Sequence, residues 1–299
     1  MNKKINFEDD LKIEIHSAFD DLGVKIPIRN NLDTMLFDYL TILKKLIKPR
    51  PREVLINPDF VSVLQKHEKK REVEQLRRSF LLGKSVNHFQ SKRLFQSKFH
   101  DHLCYEWNIY HFHLSFDLEK RSKFVKQTDQ LLFVYIEDTK AIFLGIDKHS
   151  PGVFADVKWP EVLHTHFPET IAQYRDKEIS EVSPSLNAIE RQILWDKGYT
   201  LGLTKVGDAV YIPPGIGRTT SGHSTLVAKT SSEVQRWLFA LSEDFDSREE
   251  DICRSFGISQ DNAKFKVQFV GEKLGLIEVI SKQILLTFPQ RFDFDNTNL

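Results

Sequence analysis

The hydrophobic positions of the first hundred residues recur at a helical period. Apolar side chains three and four residues apart mark the segments 8–22 and 31–48 as amphipathic helices. The segments 59–80 and 86–105 predict two further helices by the same period. We therefore expect residues 1–105 to form a helical N-terminal region.

The pattern then changes to the two-residue period of strands. EWNIYHFHLS, residues 106–115, carries Tyr110, Phe112 and Leu114 on one side and Ile109, His111 and His113 on the other. Such a strand has either a wet polar face or a face that presents acid–base groups or metal ligands to a substrate. The β-rich runs LLFVYIED and AIFLGIDKH follow, joined by a tight turn at 138–140, and a helix is predicted at 159–167. Residues 106–178 thus predict a small antiparallel sheet with flanking helices.

The remaining region, 179–299, predicts a second β-hairpin and helix region. Gly207 and Asp208 suit the turn of a hairpin, STLVAK is expected to pair back onto it, and SSEVQRWLFALSEDF is an amphipathic helix. Over 248–288, a helix, a Gly257 turn, a second helix and a β-rich run resemble a winged helix-turn-helix, with 277–288 as the wing. The fold class predicted for the whole chain is α+β.

Length and composition place the chain among ordinary globular proteins. It has 299 residues, 40% hydrophobic and 28% charged, which suffice for two domains. Its two cysteines exclude a disulfide framework, and no CxxC pair suggests a zinc ribbon. The N-terminus lacks the pattern of a secretory signal, and no apolar run could span a bilayer. We expect a cytoplasmic protein with no membrane partner.

The formal net charge is zero, but the charges are segregated. Residues 66–98 carry ten Lys and Arg against three Glu, whereas residues 231–261 carry eight Asp and Glu against three Arg. The basic block is either a pair of solvated helix faces or a surface that follows a phosphate backbone. In the second interpretation the nucleic-acid-binding candidates are Lys69, Lys70, Arg71, Arg77, Arg78, Lys92 and Arg93.

Histidine is concentrated in one part of the chain. Eight of the eleven histidines lie between residues 88 and 166, and six of them form the H-x-H pairs HDH, HFH and HTH. Pairs of this kind could supply zinc ligands, with Asp101 or another pair completing the site, although HExxH is absent. They could equally supply the base and the acid for cleaving an RNA phosphodiester, because histidine titrates near neutral pH.

Acid–base cleavage of RNA needs no metal or other cofactor, since the 2′-hydroxyl is the nucleophile. The acid–base candidates are His111, His113 and His149, and the cations expected to stabilise the phosphorane are Arg121 and Lys148. The basic helices would guide RNA to them.

A strand, a basic connection with Arg121, a hairpin and a following helix resemble the core of RelE-type toxins, within the wider group of barnase-like and colicin-type ribonucleases. The resemblance covers about residues 105–170. It implies metal-free RNA cleavage by residues on the concave face of the sheet, with Arg121 and the Lys148-His149 pair matching the family's basic positions by place.

The segment YIPPGIGRTTSGHST, residues 211–225, is rich in glycine. It is interpreted first as a turn between strands, and second as an amide nest for a phosphate that includes Arg218. It matches neither a P-loop nor a nucleophile elbow.

The leading hypothesis is therefore a metal-independent endoribonuclease of toxin or phage-defence type. The alternatives are a zinc-dependent hydrolase that uses the H-x-H pairs and a non-enzymatic nucleic-acid-binding regulator built around 248–288. The expected partners are RNA and, through the C-terminal region, DNA or a regulatory protein; a homodimer is a further alternative.

Overall fold

The computed structural model describes residues 6–24, 31–220 and 222–289. The α-helices are α1 (Phe7–Asp21), α2 (Leu32–Lys45), α3 (Pro58–Lys66), α4 (Lys70–Leu81), α5 (His102–Trp107), α6 (Lys158–His166), α7 (Pro168–Ile171), α8 (Ala188–Asp196) and α9 (Thr225–Phe256). The strands are β1 (Glu53–Ile56), β2 (Ile109–His113), β3 (Gln130–Ile136), β4 (Lys140–Lys148), β5 (Arg175–Asp176), β6 (Thr204–Val206), β7 (Ala209–Tyr211), β8 (Phe265–Val270), β9 (Lys273–Glu278) and β10 (Ile284–Thr287). The predicted α+β class is confirmed.

The chain divides into two compact units. In terms of the described residues, the first comprises 44–220 and 222–226, and the second comprises 6–24, 31–43 and 227–289. The sequence boundaries expected at 105 and 178 both fall inside the first unit. No helix among the described residues is long and apolar enough to cross a membrane.

The first unit is organised by a four-stranded sheet. Its strand order is β1-β4-β3-β2, with β1 parallel to β4 and the other neighbours antiparallel. The predicted hairpin is confirmed as β3 and β4, and the helix predicted at 159–167 is α6. β1 was not expected from the sequence.

Both faces of this sheet are covered. On one face, Phe112 of β2 packs edge-on against Phe80 of α4, with the two ring centroids 5.9 Å apart. On the other face, Phe133 of β3 stacks on Trp159 of α6 at 4.0 Å. The second face also carries His111 and His113, so the wet exterior considered for β2 is not found. These side chains are 12% and 4% exposed respectively.

The helix predicted over 59–80 is two helices, α3 and α4, because His67 adopts extended backbone angles between them. The helix predicted over 86–105 is wrong apart from α5. Polar side chains engage the backbone there instead of allowing a helical ladder: Asn87 binds both backbone groups of Ile47, and Ser91 accepts from the amide of Arg93. The segment forms two short 3₁₀ turns at Asn87–Phe89 and Lys92–Phe95.

A second, three-stranded sheet of this unit has the order β5-β7-β6. The predicted hairpin turn at Gly207 and Asp208 is confirmed between β6 and β7. The pairing predicted for STLVAK is wrong, because this segment is the beginning of α9. Its Val227 and Thr230 are buried on the same helical stripe as Val234, so the helical period runs through the segment without a break.

The second unit contains the antiparallel sheet β10-β9-β8. Helix α1 lies against its edge strand, where Asp10 and Glu14 accept hydrogen bonds from the amides of Val267 and Phe269 at 3.0 and 3.1 Å. The helix predicted after Gly257 is wrong, because this stretch forms β8 and β9. Phe265 and Val267 are buried while Lys266 between them is half-buried, which is the period of a strand. The winged helix-turn-helix therefore lacks its recognition helix.

Candidate functional site

Five histidines line one cavity of about 700 Å³ in the first unit. They come from three separate segments of the chain. His100 and His102 lie at the start of α5, His111 and His113 lie on the edge strand β2, and His149 follows β4. The structure thus brings together the three histidines that the sequence proposed as acid–base groups, and adds the HDH pair to them.

The cavity is lined by more cations than carboxylates. Its charged lining residues other than histidine are Lys92, Arg93, Lys98, Arg218, Asp101 and Asp196. Four permanent positive charges against two negative ones favour an anionic ligand, and the histidines add donors for the oxygens of such a ligand.

Asp101 holds His111. Asp101 is the N-cap of α5, where one carboxylate oxygen accepts the amide hydrogen of Cys104 at 3.0 Å. The other oxygen, Oδ2, lies 3.0 Å from Nδ1 of His111. Burial alone would raise the pKa of Asp101, but the charge of His111 and these contacts lower it below its usual value. A carboxylate at Nδ1 orients the imidazole, so Nε2 is the nitrogen left for a ligand.

His113 is held in a different state from His111. Its Nδ1 accepts the amide hydrogen of Thr128 at 3.1 Å, so the neutral ring carries its proton on Nε2. Burial, followed by the proximity of His111, lowers the pKa of His113 to about 4. At neutral pH His113 is therefore an uncharged hydrogen-bond donor rather than a base.

His100 is also kept neutral. Burial, followed by the nearby His223 and Arg218, lowers the pKa of His100 to about 4. Its Nδ1 lies 3.4 Å from the hydroxyl of Tyr105. Two of the five cavity histidines are thus uncharged near pH 7, which leaves the positive charge of the cavity chiefly on its lysines and arginines.

The glycine-rich segment 211–225 brings Arg218 to the cavity. It connects β7 to α9, so the prediction of a turn between strands is wrong. The amide of Gly215 donates to the carbonyl of Glu106 at 2.9 Å. A Cβ at position 215 would lie 1.6 Å from the carbonyl oxygen of Tyr105, so only glycine permits this approach. Three residues later, the guanidinium of Arg218 lies over the ring of Trp195 at 4.6 Å.

Arg121 and Lys148 do not line the cavity. Arg121 is exposed in the turn between residues 119 and 124, where its φ is 58°. Lys148 is the exposed last residue of β4. Arg218 and Lys98 are among the cations that line the cavity instead.

The basic candidates separate into two groups. Lys92 and Arg93 line the cavity. Lys69, Lys70, Arg71, Arg77 and Arg78 lie at α4, whose apolar side packs on the other face of the sheet. Part of their charge is compensated within the helix, because Lys69 lies 3.3 Å from Glu72 and Arg77 lies 3.1 Å from Glu74.

The described part of the chain contains no set of side chains that could bind zinc, as the zinc-hydrolase hypothesis requires. No three His, Cys, Asp or Glu side chains of residues 6–24, 31–220 and 222–289 come together in an arrangement that could hold a metal ion. The H-x-H pairs instead make separate contacts: His164 with Asp208, His166 with Asp59, and His111 with Asp101.

Comparison with family models, with curated proteins and with solved structures found no match to this chain. The resemblance to RelE-type toxins therefore stays a prediction. The acid–base and cation candidates of the ribonuclease hypothesis did not include His100, His102 and Arg218, which the sequence suggested only as part of an H-x-H pair and of a second interpretation of the glycine-rich segment. The available signals were the HDH pair itself and an arginine directly after a GIG turn.

Proposed function

We propose that this chain is a metal-independent endoribonuclease that cleaves RNA by histidine acid–base catalysis. The observation that carries the proposal is the Asp101–His111 pair in a cavity lined by Arg93, Lys98 and Arg218. An imidazole oriented by a carboxylate is a good general base, and adjacent cations favour the charge that develops on a phosphorane.

In this proposal the unprotonated Nε2 of His111 removes the proton of an RNA 2′-hydroxyl. The resulting alkoxide attacks the adjacent phosphorus and the bond to the 5′-oxygen breaks with its electron pair on that oxygen, which takes a proton from solvent water. The products are a 2′,3′-cyclic phosphate and a 5′-hydroxyl. Arg218 and Lys98 stabilise the phosphorane. His113 donates a hydrogen bond from Nε2 to a phosphate oxygen, a role suited to its neutral state. His149 lines the same cavity and contacts the leaving strand.

The arrangement of the sheet supports a toxin or phage-defence role, for which we propose a cytoplasmic location. Strands β2, β3 and β4 are consecutive antiparallel neighbours, and α6 follows them along the chain. This is the order on which the resemblance to RelE-type toxins was based. The histidine pair of β2 lies on one face of that sheet, as the resemblance implies for cutting residues.

The test is cleavage of a single-stranded RNA by purified protein in the presence of EDTA. We expect cleavage with 2′,3′-cyclic phosphate ends, and its loss in a His111→Ala/His113→Ala variant. His166→Gln is the matched control, because His166 lies outside the cavity and contacts Asp59 instead. Undiminished cleavage by the double variant would refute the proposal. Activity that EDTA removes and Zn²⁺ restores would favour the hydrolase alternative.

A further inference from the structure

Phe154 is a half-buried phenylalanine in the wall of the histidine-lined cavity. It packs against the apolar cluster on the α6 side of the sheet, where its ring centroid lies 6.2 Å from that of Phe133. It also lines the cavity, whose other lining residues are mostly polar or charged. An aromatic side chain in this position combines an anchor in the core with a π surface that a ligand can contact.

The backbone on both sides of Phe154 is fixed by buried side chains. Phe154 is the middle residue of a 3₁₀ turn. The carbonyl of Val153 accepts a hydrogen bond from the indole nitrogen of Trp159, and the carbonyl of Ala155 accepts one from Nε of Arg191, both at 3.2 Å. A ring on such a turn is ordered before a ligand arrives, so binding costs little conformational entropy.

The ring of Phe154 lies beside the proposed base of the reaction. Its centroid is 4.7 Å from that of His111 and 5.1 Å from that of His149, and all three side chains line the cavity. In the proposed reaction, Nε2 of His111 contacts the 2′-hydroxyl of the nucleotide on the 5′ side of the cleaved bond. The nucleobase of that nucleotide is attached to C1′, the carbon next to C2′. Its base is therefore within reach of the ring of Phe154.

The other two aromatic side chains of the cavity wall already have partners on their rings. Trp195 is 3% exposed, with His102 stacked on it at 4.2 Å and the guanidinium of Arg218 over it at 4.6 Å. Two cations lie over the ring of Phe99 at 5.7 and 5.8 Å. The aromatic rings that contact Phe154 are inclined to it by 46°, 49° and 75°, so none of them stacks flat on it within the described part of the chain.

We propose that the base on the 5′ side of the cleaved bond stacks on Phe154, and that the substrate is RNA in which this nucleotide is unpaired. This inference rests on the ribonuclease function proposed above. A base that stacks on a protein side chain has to leave the stack of a duplex, whereas a base in a single strand can be turned out easily. Because every base has a π face, Phe154 selects for the presence of a base and not for its identity.

The experiment follows cleavage at one bond of an RNA oligonucleotide, the bond that the unaltered protein cleaves fastest. A second version of the oligonucleotide lacks the base on the 5′ side of that bond but keeps the 2′-hydroxyl. The unaltered protein should cleave the abasic version about 5–150-fold more slowly at this bond, the range for loss of one stacked base. Cleavage at the other bonds of the same oligonucleotide is the internal control.

Phe154→Leu removes the aromatic ring and keeps an apolar side chain. It should slow cleavage of the natural bond by a similar factor, and loss of the base should then slow the variant by less than about threefold, because the interaction is already absent. Phe154→Tyr keeps the π face and should stay within about threefold of the unaltered protein. Phe116→Leu is the matched control, since Phe116 is 53% exposed and does not line the cavity.

The remaining outcomes separate this inference from the proposed function. Equal slowing of the natural and abasic bonds by Phe154→Leu, or an unchanged rate at the natural bond, would mark Phe154 as a packing residue and overturn the inference. Annealing a complementary strand should suppress cleavage at the bond, and undiminished cleavage of the duplex would refute the unpaired substrate. Failure of the unaltered protein to cleave any bond of the natural oligonucleotide would instead overturn the ribonuclease function itself.

Discussion

The two faces of strand β2 have similar burial and opposite chemistry. On one face, Phe112 is fully buried against Phe80, and the hydroxyl of Tyr110 donates to the carbonyl of Lys44 at 3.2 Å. On the other face, His111 and His113 line a cavity and have polar partners on one ring nitrogen each. The first face belongs to the hydrophobic core, and the second face presents polar side chains to a cavity.

The difference lies in what covers each face. The Phe112 face is covered by the continuous apolar stripe of α4, whose Val73, Leu76 and Phe80 are buried. The histidine face is bordered by irregular segments, 91–101 and the glycine-rich stretch before α9, which carry charged side chains. The apolar side chains of a regular helix pack closely against the sheet. Turns held by polar side chains pack less closely and leave a cavity beside it. The following experiments test this contrast.

The largest expected effect is on the dry face. Phe112→Ala should lower the free energy of unfolding by about 3–5 kcal/mol, because it leaves a void between α4 and the sheet. Urea unfolding followed by circular dichroism measures the loss. Phe116→Ala is the matched control, since this ring is 53% exposed, and it should cost less than about 1 kcal/mol. Similar losses at both positions would mean that the Phe112 face is not the core.

On the cavity face, Arg218→Gln should lower RNA cleavage about 10²–10³-fold, because it removes a fixed positive charge beside the reacting phosphate. Initial rates measure this, with unfolding midpoints recorded to separate charge from stability. Arg218→Lys should recover part of the rate, since the charge returns without the planar guanidinium over Trp195. A rate within about threefold of the unaltered protein in Arg218→Gln would remove Arg218 from the site.

The burial of His113 predicts a pH dependence of stability. Its pKa is lowered from 6.5 to about 4, so between these values the unfolded chain binds a proton that the folded chain does not. Stability is therefore lost as the pH falls, by about 2 kcal/mol from this group between pH 7 and 5.

His113→Asn isolates that contribution. Its amide oxygen can accept from Thr128 as Nδ1 does, but the side chain does not titrate. Urea midpoints at pH 7 and 5 should fall less in the variant than in the unaltered protein. An equal fall in both would show that His113 is not held neutral.

The smallest effect is expected at the exposed cations. Arg121→Gln and Lys148→Gln should each leave the rate of cleavage within about threefold, because neither side chain lines the cavity. A loss of cleavage rate as large as that expected for Arg218→Gln would show that the reaction also depends on cations outside the cavity. It would also restore the roles that the resemblance to RelE-type toxins implied for these residues.

Parts of the fold were predictable because their signals are local. The β3–β4 hairpin, α6 and the β6–β7 turn follow from periodicity and turn residues within each segment. The errors arose where two local signals compete. In 86–105 the hydrophobic spacing suggested a helix, but Asn87, Ser91 and Asp101 bind the backbone. After Gly257, the apolar run is compatible with both a helix and a strand. It forms strands because β8 pairs with β9.

By itself, the sequence determined that His111 and His113 share one side of a strand, since side-chain alternation is a property of the extended backbone. It also determined the segregation of charge and the positions of most helices. Only the tertiary structure decided which side of β2 lines the cavity. That choice depends on residues outside the strand. Asp101 lies at the start of the preceding helix, and Arg218, far along the chain, is positioned by the close approach of Gly215 to Tyr105. Contacts of this kind depend on how separate segments pack against each other. They cannot be predicted from the periodicity of the sequence within one segment.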